Sequence, residues 1–97
     1  MYAVAFDLVV EDVKTHHPRG VSAAYGDIRA LMQQHGFVWR QGSLYTLDDD
    51  DMARLFAAIL ALKALPWFPI SVRDIRAFKV EQWSDFTSLV KSGAARP

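Results

Sequence analysis

A single carboxylate interrupts the apolar segment that opens the chain. Asp7 lies within residues 2–10, where the other side chains are apolar. A charged group in such a segment needs either a partner or a function. Asp7 either pairs with an arginine such as Arg73 or Arg76, or takes part in chemistry. A twofold axis between two copies of the chain would bring two Asp7 carboxylates together. They could then hold Mg²⁺ with a phosphate and water, or share a proton as acid and base.

Two side chains after Gly42 are candidates for contact with a ligand. Ser43 and Tyr45 are two residues apart, which predicts one common face of a strand beside the first strand. Ser43 could contact a phosphate, a base or a second copy of the chain, or it could belong to a polar hairpin only. Tyr45 could stack on a base, or it could equally be part of the core.

The basic candidates lie in two segments of the chain. Arg40 precedes the same hairpin, and Arg73, Arg76 and Lys79 follow within a later extended segment. Guanidinium groups suit phosphate oxygens because they donate two parallel hydrogen bonds. Each of these residues alone is typical of a solvated or salt-bridged surface. Only a cluster of them around Asp7 would predict a groove for a nucleic acid.

The histidines and the acidic run have simpler explanations. His16 and His17 could serve metal-free cleavage through a 2′-hydroxyl, but a His-His-Pro sequence is more typical of a polar turn. His35 is predicted at the C-terminal end of a helix, where a cation complements the helix dipole. The aspartates at 48–51 lack the glycine and distant glutamate of a calcium loop, and we interpret them as the start of a helix.

The elements that must position these residues follow from the spacing of apolar side chains. Alternation over 2–10 predicts a strand with large side chains on one face and small ones on the other. Spacings of three and four predict two long helices, the first of which ends at Gly36. The complete prediction is strand 2–10, helix 21–35, strands 37–41 and 43–46, helix 52–65, extended segment 70–82, and a short helix that begins with Ser84 as its N-cap.

This order predicts an α+β protein with the ferredoxin-like β-α-β-β-α-β arrangement and a short C-terminal helix. Two helices would cover one face of a four-stranded antiparallel sheet. The other face would carry Ala3, Ala5, Asp7 and Val9, which is too apolar to leave in water. We therefore expect a homodimer in which two sheets pack face to face about a twofold axis.

Composition sets the class of protein. The chain has 97 residues, no cysteine, 52% apolar residues and equal numbers of acidic and basic side chains. We expect one domain over 1–91 and a frayed tail over 92–97, without disulfides or thiolate metal sites. The N-terminus lacks the features of a signal peptide or a membrane span, so a cytoplasmic protein is expected. Four of the eleven acidic residues stand together at 48–51, so zero net charge is weak evidence against a nucleic-acid partner.

Three blocks of sequence resemble one known family. They are Met-Tyr-Ala-Val-Ala-Phe-Asp-Leu-Val-Val at 1–10, Gln-Gly-Ser-Leu-Tyr-Thr at 41–46, and Val-Arg-Asp-Ile-Arg-Ala-Phe-Lys-Val-Glu-Gln-Trp-Ser-Asp-Phe-Thr at 72–87. In order and spacing they resemble the virulence-associated protein D (VapD) family of bacterial toxin-like ribonucleases. The resemblance covers nearly the whole chain, with departures in the loops and the tail.

The resemblance implies a homodimeric ferredoxin-like endoribonuclease that acts on mRNA or other single-stranded RNA. It also implies similarity in fold to the small CRISPR-associated nucleases of spacer acquisition. The carboxylate that these families tie to activity matches Asp7. An antitoxin protein would be a further partner.

Two alternatives remain open at this stage. One is a catalytically silent binding or regulatory module, and the other is a DNA-acting CRISPR-type scaffold. The aromatic and glycine pattern of the usual RNA-recognition motif is missing, which disfavours a nonenzymatic RNA reader.

Overall fold

The computed structural model describes residues 1–93, and these form four strands and five helices. The strands make one antiparallel sheet in the order β2-β3-β1-β4. This confirms the α+β class and is compatible with the predicted ferredoxin-like arrangement. The elements are β1 (Tyr2–Leu8), α1 (Val10–His16), α2 (Gly20–Gln34), β2 (Val38–Gln41), β3 (Leu44–Leu47), α3 (Met52–Ala64), α4 (Phe68–Ser71), β4 (Val72–Lys79) and α5 (Thr87–Ser92).

The core lies between one face of the sheet and the helices. Val4, Phe6 and Leu8 alternate along β1 and are buried, as the size alternation predicts. The Phe6 ring lies between two aromatic neighbours, with ring centroids 6.2 Å from Tyr45 and 5.9 Å from Phe68. The helices contribute residues at spacings of three and four, namely Ala24, Ile28 and Met32 from α2 and Leu55, Ala58 and Leu62 from α3.

The segment after β1 differs from the prediction. β1 ends at Leu8, two residues early, and helix α1 lies where no element was predicted between the first strand and the helix at 21–35. The backbone N–H of Val9 donates to the carbonyl of Ser71 at 2.8 Å, and Val13 is the buried residue of α1. A tertiary hydrogen bond and one apolar contact therefore fix this helix, and neither gives a periodic signal in the sequence.

Two later boundaries are also corrected. The extended segment predicted for 70–82 is shorter, because α4 occupies Phe68–Ser71 and β4 runs from Val72 to Lys79. Pro69 fits the first turn of α4, where its missing N–H costs no hydrogen bond. The C-terminal helix begins at Thr87, so the prediction of Ser84 as its N-cap is wrong. α5 ends at Ser92, and the part of the predicted frayed tail after residue 93 lies outside the described residues.

Gly26 and Gly36, two glycines of the α2 region, provide a matched test of this structure. Gly36 follows α2 with φ +84°, whereas Gly26 lies within the helix and a Cβ there would meet nothing within 4 Å. We expect Gly36→Ala to destabilise the fold by roughly 1–2 kcal/mol, because L-residues disfavour positive φ. Gly26→Ala should stabilise it by about 0.5–1 kcal/mol, because alanine favours helix. Chemical denaturation of both variants measures the two effects, and equal signs would contradict the assigned backbone.

Candidate active site on the open sheet face

The sheet face opposite the core helices, called the open face below, carries the small side chains of β1. Ala3, Ala5 and Asp7 alternate there with Val4, Phe6 and Leu8, which belong to the core. The register places Phe78, Arg76 and Asp74 of β4 directly opposite these three residues, in that order. On the other side, Thr46 and Leu44 of β3 lie opposite Ala3 and Ala5.

Asp7 pairs with an arginine that a strand irregularity presents to it. The register between β1 and β4 shifts after Asp7, so that Asp7 faces Asp74 and Leu8 faces Val72. Arg73 lies between these two partners as the extra residue, and such a bulge redirects a side chain. Its guanidinium donates to Asp7 Oδ2 at 3.0 Å, with both side chains more than half exposed. An exposed pair of this kind contributes at most about 1 kcal/mol to stability.

A second ion pair lies next to the first. Arg76 Nε donates to both carboxylate oxygens of Asp74, at 3.2 and 3.0 Å. We call Asp7, Arg73, Asp74 and Arg76 the charged cluster. A depression of about 270 Å³ contacts three of its members, and Ala5 and Phe78 also line it. The structure therefore brings Arg73 and Arg76 to Asp7, as a phosphate-binding groove would require.

Ser43 lies at the same end of the sheet. Its carbonyl accepts a hydrogen bond of 3.3 Å from the backbone N–H of Phe6, which places the hairpin beside the end of β1. Ser43 is half-buried and lines a second depression, which also contacts Ala5 and Gln41. Because Ala5 and Phe6 line both depressions, the Ser43 hairpin and the charged cluster share one continuous surface.

Tyr45 is not on this surface. It lies opposite Val4 in the register, is 1% exposed and stacks on Phe6 within the core. Burial raises the pKa of its hydroxyl, although a hydrogen bond from Arg29 acts in the opposite direction. The expectation that Tyr45 could stack on a base is therefore wrong for this conformation, and its alternative interpretation as a core residue holds.

Arg40 is on the open face but away from the charged cluster. Its Nε donates to Thr46 Oγ1 at 2.7 Å, and Thr46 lies opposite Ala3. Ala3 and Asp7 are four residues apart, which is about 13 Å along a strand. The structure thus separates Arg40 from Arg73 and Arg76, which the sequence had grouped together.

The histidines lie outside the open face. His17 is buried among the helices, where its Nδ1 accepts from the backbone N–H of Arg19 at 3.0 Å. Its other nitrogen, Nε2, therefore carries the ring proton and donates to Asp27 Oδ2 at 2.8 Å. The His17 ring also meets Trp67 edge to face, at 4.9 Å. These contacts support a structural role for His17, whereas His16 is exposed at the end of α1.

Metal ligands are few in the site. Residues 1–93 contain no group of three or more His, Asp or Glu side chains that could hold an ion. Asp7 and Asp74 face each other across β1 and β4, and Mg²⁺ commonly uses one or two carboxylates together with phosphate and water. The donor set thus fits Mg²⁺ bound with a substrate rather than a preformed protein cage.

Nearly the whole chain is similar to known proteins. No protein-family model matches the chain. The chain is 65% identical over 92 residues to a protein of Neisseria gonorrhoeae named Endoribonuclease VapD homolog, covering 95% of this chain and 100% of that protein. It is 56% identical over 92 residues to Endoribonuclease VapD of Haemophilus influenzae, with the same coverage. Endoribonuclease VapD of Helicobacter pylori is 47% identical over 94 residues, covering 95% of this chain and 100% of its own.

The His17 contacts give a test of its structural role. Asp27→Ala leaves the buried Nε2–H of His17 without its acceptor, so we expect a loss of about 1–3 kcal/mol in unfolding free energy. The control is Glu11→Ala, which removes an exposed ion pair with Lys14 at 3.4 Å and should cost less than about 0.5 kcal/mol. Urea denaturation compares the two, and equal losses would contradict the assigned hydrogen bond.

Proposed function

Because the chain belongs to the VapD family of endoribonucleases, we propose that it cuts single-stranded RNA, mRNA included, on the open face with Asp7 as the catalytic carboxylate. The observation that carries this proposal is the position of Asp7. Its carboxylate is 60% exposed on a face of small side chains, next to two arginines. A substrate can therefore reach it without any movement of the core.

The charged cluster suggests how the substrate is engaged. The guanidinium of Arg73 holds Asp7 in the free protein, and that exposed contact is weak enough to be exchanged. A phosphodiester that takes Arg73 as its partner would release the Asp7 carboxylate at the scissile bond. Arg76 can exchange Asp74 for a phosphate oxygen in the same way. The freed Asp7 then accepts the proton of the attacking hydroxyl or water while the oxygen of that group bonds to phosphorus. The bond from phosphorus to the leaving oxygen breaks, and this oxygen takes a proton from solvent water.

Mg²⁺ fits this site as a proposed cofactor. Asp7 and Asp74 would hold it, and a bound Mg²⁺ would neutralise charge on the phosphate. In its absence, two Asp7 carboxylates brought together by a dimer could share one proton. Removal of metal by a chelator separates these two arrangements.

A homodimer through the open face follows from the apolar surface there. Phe78 lies on this face and is 50% exposed, and small residues of β1 allow a second sheet to approach closely. A twofold arrangement would bring the two charged clusters together in one cleft. Residues 1–93 contain no helix that is long and apolar enough to cross a membrane.

A toxin role beside an antitoxin protein in the cytoplasm extends the proposal further. It is supported by membership of the VapD family.

The role of Asp7 is tested by Asp7→Asn. This change keeps the shape of the side chain and an acceptor for Arg73 but removes the base, so cleavage of a labelled single-stranded RNA should fall by about 10²- to 10⁴-fold. Stability should change little because the position is exposed. Rates are measured on RNA and on DNA of the same sequence, with Mg²⁺ and with chelator.

The matched control is Asp49→Asn, at an exposed aspartate of the turn before α3. It should cleave like the wild type. Undiminished cleavage by Asp7→Asn would remove Asp7 from the mechanism. Cleavage of DNA alone, or of neither nucleic acid, would contradict the proposed activity.

The dimer is tested with two phenylalanines of similar exposure. Phe78 on the open face is 50% exposed, and Phe56 on α3 is 61% exposed. A carboxylate buried between two sheets lacks a partner, so Phe78→Asp should give a monomer. Phe56→Asp should keep the mass of the wild type. Light scattering on dilute protein measures each mass, and a monomeric wild type would contradict the shared cleft.

A further inference from the structure

The chain that follows β4 crosses the sheet and forms a cleft at the opposite edge. β4 and β2 are the two edge strands, yet the Trp83 ring lies 5.4 Å from the Arg40 guanidinium of β2. Arg40 belongs to the open face, so residues 80–86 pass over that face. The cleft between them has a volume of about 440 Å³ and is lined by Trp39, Arg40, Gln41, Trp83, Asp85 and Phe86, among others. Its size lies within the roughly 300–1,000 Å³ of ligand clefts.

Three aromatic side chains of the cleft remain exposed in the folded chain. Trp39 is 40% exposed, Trp83 41% and Phe86 63%, whereas most aromatic residues of β1, β3 and α4 are buried. Proteins that bind single-stranded nucleic acids present such rings as platforms on which bases stack. Arg40 is held by Thr46 and lies over the Trp83 ring, so the platform is positioned before a ligand arrives.

Acceptors line the same cleft. Asp85 Oδ1 accepts from the backbone N–H of Thr87 at 2.9 Å, which orients the carboxylate. Each carboxylate oxygen can accept more than one hydrogen bond, so both oxygens can still accept from a ligand. Hydrogen bonds from Thr87 lower the pKa of Asp85, so this carboxylate only accepts hydrogen bonds at neutral pH. Gln41 adds an amide that both donates and accepts. A base with neighbouring N–H groups fits this set, and guanine presents two of them on one edge.

The cleft is continuous with the proposed cleavage site. Gln41 lines both the cleft and the depression of the Ser43 hairpin, and that depression shares Ala5 with the one at Asp7. Arg40 is level with Ala3, which is about 13 Å along the strand from Asp7, and β2 lies two strands from β1, about 10 Å across the sheet. About 16 Å therefore separates Arg40 from Asp7, and at about 3.4 Å for each stacked nucleotide this distance spans about five nucleotides.

We propose that this cleft is a nucleobase subsite, in which Trp83 stacks on an unpaired base of the RNA and Asp85 selects a guanine over a uracil. The proposal rests on the proposed function and adds to it the site that sets base preference. The subsite acts at a position within about five nucleotides of the bond that is cut.

The test compares binding of two labelled RNA octamers, one of uracil only and one with a single central guanine. Fluorescence anisotropy is measured in an Asp7→Asn background, which prevents cleavage. Trp83→Ala should weaken binding of the guanine octamer by about 5- to 150-fold, as expected for loss of one stacked base. Trp83→Phe keeps a ring and should restore most of the affinity. Asp85→Asn should reduce the preference for guanine, because the amide has one accepting oxygen and cannot accept from both N–H groups of guanine.

Phe56→Ala is the control, since it removes an exposed ring outside the cleft and should leave both affinities unchanged. Unchanged binding by Trp83→Ala, or an unchanged guanine preference by Asp85→Asn, would overturn the subsite. A Trp83→Ala variant that becomes monomeric would also overturn it, because the ring would then belong to a contact between copies.

Cleavage rates of the same octamers separate this proposal from the one on which it rests. If Asp7→Asn cleaves like the wild type while Trp83→Ala loses binding, the subsite stands and the role of Asp7 falls. If Asp7→Asn is inactive while Trp83→Ala binds and cleaves normally, the role of Asp7 stands and the subsite falls.

Discussion

The two unlike faces of β1 are the constraint on which the rest of the structure depends. β1 pairs with β3 on one side and with β4 on the other, so it is an interior strand of the sheet. Its large side chains fill the space under α2 and α3, as the burial of Val4, Phe6 and Leu8 shows. Its small side chains keep the opposite face shallow. Because Ala3 and Ala5 are small, longer side chains of β4 and β2 can reach across that face. Among the β1 residues on the open face, only Asp7 carries a charge.

The irregularity beside Asp7 turns this surface into a candidate site. In a regular ladder, Leu8 would lie opposite Arg73, and the arginine side chain would point toward the helices. The extra residue in β4 instead directs Arg73 to Asp7 at the end of the strand, where it is solvated. Stability gains little from such an exposed pair, whereas a phosphate can replace the carboxylate at small cost. The arrangement is therefore better suited to exchange of partners than to holding the sheet together.

The spacing of residues along the chain predicted the two faces of β1 and the long helices. It did not predict which residues of distant segments lie beside each other. Alternation located both faces of β1 and singled out Asp7, and helical spacing located α2 and α3. A period of two relates Tyr45 to its neighbours on β3, but the face that it occupies depends on its register with Val4, which is a contact between distant segments. Helix α1 depends on a backbone bond from Val9 to Ser71 and carries a single buried residue. The passage of residues 80–86 over the open face likewise depends on Trp83 meeting Arg40, which no local pattern encodes.

The cations of the open face are already paired with carboxylates, which the composition alone could not show. Within residues 1–93, aspartates of the run at 48–51 pair with the Met1 amine, Arg40, Arg54 and Lys79. Arg73 and Arg76 have carboxylate partners of their own. An RNA that binds here must therefore replace the carboxylate partners of Arg73 and Arg76 with its own phosphates. The binding free energy gained at each arginine is smaller than it would be at an unpaired cation. Affinity then has to come largely from stacking and from hydrogen bonds to bases, which depend little on salt. A neutral chain can in this way bind a polyanion through its aromatic surface, and selectivity for particular bases follows from the same contacts.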